Sequence, residues 1–245
     1  MKKGFMALLC AVLLSVSAFA DFIWDPISFG YNNIFMKGNA YVNYDRDNSP
    51  TAVEFKEKGK MSMNNFGFMP LVAGLGYLPK KAGFYFMWEN FLGIGKFSLK
   101  SEKFDKLFFA EPEEGALAFD FSTNLIFGFA FSPVDNLHLS FGAGLAAGAF
   151  RGASGYDSYA NLGPIKVNRN KESTGVSVGI PFDVTGRYYL SKHTGILFGL
   201  QDTIMFTFNK TESILHGHGL DLVYMHLNSL FANKFTFKFG LTTRW

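Results

Sequence analysis

The sequence predicts an all-β fold: an eight-stranded antiparallel up-and-down transmembrane β-barrel over residues 21–245, behind a secretory signal peptide over residues 1–20. Three observations predict it. The 245-residue chain is 48% hydrophobic and 18% aromatic, yet beyond the first twenty residues no apolar run approaches the ~18 residues of a spanning helix. Apolar residues recur instead with period two, the signature of strands with two unlike faces. The connections between these stretches alternate short and long, as in a meander.

Composition excludes several classes. High aromatic content and low net charge exclude a disordered chain. Twenty-six glycines without a G-X-Y period exclude collagen. The single cysteine, Cys10, excludes a disulfide scaffold and a cysteine-built zinc site. Twenty-three Lys and Arg stand against 20 Asp and Glu, for a net charge of +3, and are scattered along the chain; nucleic acid is therefore not an expected partner.

The first twenty residues read as an address. Lys2 and Lys3 form a positive start, Phe5 to Val16 an apolar core too short to span a bilayer, and Ala18-Phe19-Ala20 a small-x-small cleavage site. The mature chain is expected to begin near Asp21. Lipidation at Cys10 would want a small residue where Leu9 stands.

The strands follow in order. Stretches 27–44 and 61–78 alternate least cleanly, and a phase slip near Asn32-Asn33 suggests a bulge. Stretch 83–99 places Phe84, Phe86, Trp88, Leu92 and Ile94 on one face. Stretch 116–131 sets Leu117, Phe119, Phe121, Leu125, Phe127, Phe129 and Phe131 against small and polar residues, with Ile126 the exception. Stretch 137–150 opposes Leu137, Leu139, Phe141, Ala143 and Leu145 to His138, Ser140, Gly142, Gly144 and Gly148. Stretches 174–190 and 195–208 repeat the scheme, with Asp202 out of place in the latter. The last strand carries Phe235, Phe237, Phe239, Leu241 and Trp245 on one face, and Lys234, Lys238 and Arg244 on the other. Residues 79–82, 132–136 and 191–193 read as tight turns. Residues 45–60, 100–115, 151–173 and 210–231 read as long loops, although the apolar run Leu220 to Phe231 suits a strand extension, a short helix or a cover over the mouth.

The bulky face must point outward. A small barrel has a narrow lumen that takes Gly, Ala, Ser and Thr but not thirty Phe. Only lipid accepts such an outer face, and a closed barrel satisfies every backbone group as the bilayer core demands. Trp88, Tyr77, Tyr188, Tyr189 and Trp245 are read as interfacial aromatics.

The pattern Phe237-x-Phe239-x-Leu241-x-Thr243-x-Trp245 resembles the C-terminal assembly signal of bacterial outer-membrane barrels, departing from it at Thr243. The layout resembles small eight-stranded barrels of the OmpW, OmpX and OmpA type, and small barrels of spirochaetes, over residues 27–245. That resemblance implies residence in the bacterial outer membrane, with membrane lipids and the outer-membrane assembly machinery as partners. No cofactor and no catalytic activity are expected.

The residues singled out for function are a lumen cluster of Glu89, Asp120, Asp183, Arg187, Gln201, Lys238 and Arg244. Glu89, Asp183, Gln201 and Lys238 fall at one depth, with Arg187 and Arg244 nearer the short-turn end and Asp120 nearer the loops. Charges in such a lumen must pair or stay wet. They form either a structural plug or a polar path for small solutes. His138-x-Ser140 resembles the His-x-Ser pair of an outer-membrane lipid A deacylase, but no acidic partner is placed by sequence. His216-x-His218, with Asp221 and His226, has spacing that could suit zinc or nickel, with no fixed geometry; no metal is assigned. Two functions remain: passage of small or hydrophobic solutes through a narrow lumen, as OmpW-like proteins imply, and a plugged barrel whose long loops meet a host or surface ligand or stabilise the membrane, as OmpX-like proteins imply.

Overall fold

The structure, a computed structural model, describes residues 20–43, 54–69, 74–101, 108–109, 116–160, 166–217 and 220–245. These form eleven strands: β1 (Ala20–Asn43), β2 (Glu54–Met69), β3 (Leu75–Pro79), β4 (Ala82–Ser101), β5 (Phe108–Phe109), β6 (Leu117–Val134), β7 (Leu137–Ala160), β8 (Lys166–Tyr189), β9 (Thr194–Gly217), β10 (Leu220–Asn228) and β11 (Phe231–Arg244). They make eight staves, because β2 and β3 share one position in the wall, β10 and β11 share another, and β5 only adds a short edge to β7. Every pairing is antiparallel. The ring closes where β1 meets β11, from Ile23 opposite Arg244 to Met36 opposite Ala232.

The alternation read from sequence matches the two faces of the wall. Phe237, Phe239, Leu241 and Trp245 face outward, as do Phe119, Phe121, Phe127, Phe129, Val176, Phe182, Phe198 and Phe208. At the end of the short turns, Phe22, Trp24, Tyr77 and Trp245 gather into a girdle, with Trp24 and Trp245 stacked at 6.1 Å. Tyr188 is exposed there too, but Tyr189 is 1% exposed and points inward. Its neighbour in sequence takes the membrane-interface role and alternation sends Tyr189 to the lumen.

The wall departs from the sequence pattern in several places. Residues 27–36 of β1 pair with β11 without a break, so no bulge lies at Asn32-Asn33. The register shifts instead between Trp24 and Ile27, where Asp25 and Pro26 together oppose Thr242. Pro26 has no N–H to donate, which suits a bulged position. The bulge turns both Ile23 and Asp25 inward on one side and Ser28 and Gly30 inward on the other. The slip inferred from sequence came from Ile34 and Met36, apolar residues that face the lumen.

Asp202 needs no bulge, since β9 pairs through it on both sides. It faces outward and accepts a hydrogen bond from Asn233 Nδ2 at 2.7 Å. The long loops are shorter than expected. β7 and β8 continue as a ladder to Tyr159 opposite Lys166, and β10 carries Leu220–Asn228 as strand between β9 and β1. Of the three readings of that apolar run, strand extension is the one observed.

Among the described residues the wall has a weak seam between β7 and β8. Between β7 and β8 the rungs Ala143–Phe182 and Ala146–Gly179 are present, while Gly144 and Leu145 have no rung opposite Pro181 and Ile180. Outside it lies an apolar hollow of about 800 Å³ whose lining includes Trp88, Leu145, Ala146, Gly179 and Ile204.

Candidate functional site in the barrel lumen

The lumen is filled in layers, each built from residues that alternation sends inward. At the turn end Arg244 Nη1 donates to His138 Nε2 at 2.9 Å, and its guanidinium lies 3.9 Å from the centre of the Tyr189 ring. The Arg244 contact requires the His138 proton on Nδ1, which faces Ser132 Oγ at 3.0 Å. Just inside, Arg187 Nη2 donates to Asp25 Oδ2 at 3.0 Å, both side chains being buried. Ile23, Leu78, Tyr85, Met87, Ile126 and Ala130 pack round this floor with Tyr189.

The middle layer joins four predicted residues. Lys238 Nζ lies 2.6 Å from Glu89 Oε1 and 2.6 Å from Asp183 Oδ1. Gln201 Nε2 reaches both carboxylates at 3.4 Å, and Asn124 Nδ2 donates to Gln201 Oε1 at 3.0 Å. Thr185 Oγ1 donates to Asp183 Oδ2 at 2.8 Å. One ammonium between two carboxylates, with amide donors for the remaining lone pairs, is how buried charge becomes tolerable.

A second ionic layer lies nearer the loop end. Lys234 Nζ donates to Asp120 Oδ2 at 2.6 Å and to Ser122 Oγ at 2.8 Å. Asn32 and Asn65 donate their amide N–H groups to the same carboxylate at 2.9 and 2.7 Å. Phe91 separates the two layers, with Lys234 Nζ 4.9 Å from its ring centre. The ring fits because the wall carries glycine beside it. Gly30, Gly67 and Gly93 form one row across β1, β2 and β4, and a Cβ on any of them would stand 2.7 Å from the Phe91 ring.

Above these layers the lumen turns apolar. Met36, Met61, Met63, Phe97, Leu99, Phe150, Met205, Met225 and Leu227 form one buried cluster. The unbranched Met side chains, with the Phe rings and the two Leu, fill an irregular space. At its upper edge Lys171 Nζ donates to the Leu99 carbonyl at 2.8 Å, and Ser173 meets Thr211 at 2.7 Å.

Of the predicted cluster, Glu89, Asp183, Gln201 and Lys238 are in one layer as expected. Asp120 stands apart with Lys234, Arg187 with Asp25, and Arg244 at the floor. Sequence reasoning left out Lys234, Asp25, Asn32, Asn65 and Asn124. Lys234 and Asn124 were legible from parity. Asp25 was not, because the bulge reverses its face. The Met-rich upper lumen was also missed, since apolar residues on both faces erase the alternation.

His138 and Ser140 are not joined. Ser140 Oγ donates to the Thr185 carbonyl at 3.1 Å, and His138 is held by Ser132 and Arg244. His218 lies outside the described residues, as does Ala18, and of His216 and Asp221 only the backbone is described, paired across β9 and β10. Among the described residues no group of three or more metal-ligating side chains gathers.

A closed cylinder with a lipid-facing outside and an interior stoppered by its own ion pairs defines a small transmembrane β-barrel. Residues 26–245 match the family described as a domain of unknown function, DUF2715, and the chain belongs to that family. No curated protein matches the chain. It is similar to solved structures of outer membrane proteins. One is OprG from Pseudomonas aeruginosa, at 12% identity over 93% of this chain and 96% of that one, with a TM-score of 0.40. Another is the protease OmpT from Escherichia coli, at 9% identity over 92% and 96%, with a TM-score of 0.30. A third is Ail, the attachment invasion locus protein of Yersinia pestis, at 12% identity over 88% and 99%, with a TM-score of 0.21.

Proposed function

We propose that this protein is a non-catalytic barrel of the bacterial outer membrane whose lumen is plugged and whose extended hairpins are its working surface. The observation that carries the reading is the filled interior: Lys238, Glu89, Asp183, Phe91, Met36, Met61 and Met63 are each at most 3% exposed. A conducting path needs groups that remain wet, and these face one another instead. β7 and β8, each 24 residues long, far exceed the roughly 9–11 residues that cross a bilayer, so their upper halves stand clear of it. Loops and hairpins on a rigid scaffold are the usual place for binding a host or surface ligand.

Planar-bilayer recording tests this. The purified protein is expected to give no unitary current steps at any applied voltage. Reproducible steps in the unmodified protein would overturn the plug and favour solute passage. The apolar upper lumen favours that second reading in one respect, since flexible Met side chains can part for an apolar solute. Uptake of such a solute into vesicles without ionic current would support it.

A further inference from the structure

The lysines that look scattered in the sequence are gathered by the fold. Lys37 on β1 stands opposite Lys60 on β2, and Lys60 stands opposite Lys100 on β4. All three point outward and are exposed. Lys56 and Lys58 continue the same face of β2, and Lys96 lies on the same face of β4, opposite Asn64. Six lysines thus cover the outer surface of three neighbouring staves. Among the described residues no carboxylate forms an ion pair with any of them. Around the rest of the rim, the described outward cations are Arg151 and Lys210, and Lys210 pairs with Glu212 at 2.7 Å.

The height of this face is informative. Tyr31, Phe66 and Ile94 form an apolar row across the same staves. Immediately above it Tyr31 Oη donates to Asn64 Oδ1 at 2.8 Å, and Lys96 begins the basic face. Apolar, then amide and phenol, then ammonium is the order in which hydrocarbon gives way to head groups. The lysines lie toward the loop end, away from the tight turns. Lys37 and Lys56 lay their ammonium groups over Phe35 and Tyr41 at 5.0 and 5.7 Å, so they hug the wall at this level.

Like charges placed directly opposite on adjacent strands repel and weaken a sheet. Three in one row are a standing cost that a bound anion removes. We propose that the β1–β2–β4 face is a binding surface for the phosphate-bearing head groups of lipids in the leaflet at the loop end. Two or more phosphates bridge Lys37, Lys60 and Lys100, and Lys96 holds the side nearest the acyl chains. The inference rests on the barrel standing in a membrane and not on whether the lumen conducts, so bilayer recording and lipid binding fail independently.

The test titrates the folded protein in neutral detergent with short-chain phosphatidylglycerol or phosphatidylcholine and counts bound lipids by native mass spectrometry. Preference for phosphatidylglycerol is expected in the unmodified protein. A Lys37→Gln, Lys60→Gln, Lys100→Gln variant should bind it more weakly by roughly fivefold per lysine, about a hundredfold in all. A Lys80→Gln, Lys81→Gln, Lys192→Gln variant at the turn end should keep the preference. The first variant should also unfold at a higher temperature than the parent in neutral detergent, because the repulsion is gone. If it fails to fold, Lys58→Gln with Lys96→Gln serves in its place, with the preference again expected to fall. Equal binding of the two lipids, equal loss in the turn-end variant, or full competition by inorganic phosphate at the same concentration would overturn the proposal. So would capture of a soluble sulphated polysaccharide with no preference between the lipids.

Discussion

Lys238 shows how much a single inward side chain can carry. Its ammonium is the only cation in contact with Glu89 and Asp183 among the described residues, and both carboxylates are 3% exposed. Replacing it by Met leaves two buried carboxylates facing each other, and removing one partner of a buried pair costs about 3–5 kcal/mol. Glu89→Gln does the reverse: it leaves Lys238 with Asp183 and keeps an amide in place, and is expected to change stability by less than about 1 kcal/mol. Urea unfolding in detergent, followed by far-ultraviolet circular dichroism, measures both. An equal loss in the two variants would refute the pairing. These residues were legible in the sequence because each lies at the inward parity of an unbroken strand. What parity cannot supply is which charges meet, since that depends on the stagger between strands: Asp120 proved to belong with Lys234.

At the level of the strand, β1 is decided by two residues. The bulge at Asp25 and Pro26 re-aims the chain so that Asp25 meets Arg187 while the Phe29 side stays in lipid. Asp25→Ala leaves Arg187 buried and unpaired; the expected loss is about 3–5 kcal/mol. Deleting Pro26 removes the bulge but leaves Asp25 opposite Thr242 on the inward face, and is expected to keep the pair with Arg187. The midpoints of thermal unfolding of the two variants should therefore differ widely. Sequence reading put the slip at Asn32-Asn33 because it assumed an interior of small and polar groups. Ile34 and Met36 break that assumption, not the pleat. The hairpin of β7 and β8 makes the complementary point. Its upper part adds rungs outside the packed layers, so replacing residues 156–169 by a short turn should alter stability by no more than about 0.6 kcal/mol, the scale of loop closure.

For the molecule as a whole, hydrocarbon is expected to wet the outer wall. The three tryptophans report on it. Trp88 lies in the outer hollow with Nε1 donating to Thr123 Oγ1 at 2.9 Å, whereas Trp24 and Trp245 stack at the turn end. In single-tryptophan variants reconstituted with chain-brominated lipid, Trp88 should be quenched most by bromine deep in the acyl chain. Trp24 and Trp245 should be quenched most by bromine near the head group. Equal, weak quenching of all three would mean that the wall does not stand in lipid. The closed ring was the most legible property of the chain, because a single alternation repeated along six of its eight stretches leaves few ways to place the 28 Phe that follow residue 20. The grouping of the lysines was the least legible: Lys37, Lys60 and Lys100 become neighbours only through pairing register.

The seam at Pro181 sets where this cylinder gives way. An imino acid offers no amide hydrogen, and the two consecutive rungs that would join Gly144 and Leu145 to Pro181 and Ile180 are missing. Thermal agitation will part the staves there before anywhere else along that junction. The amide hydrogen of Gly144, opposite Pro181, should therefore trade for deuterium sooner than those of Gly142 and Asp183, a few ångströms nearer the short turns.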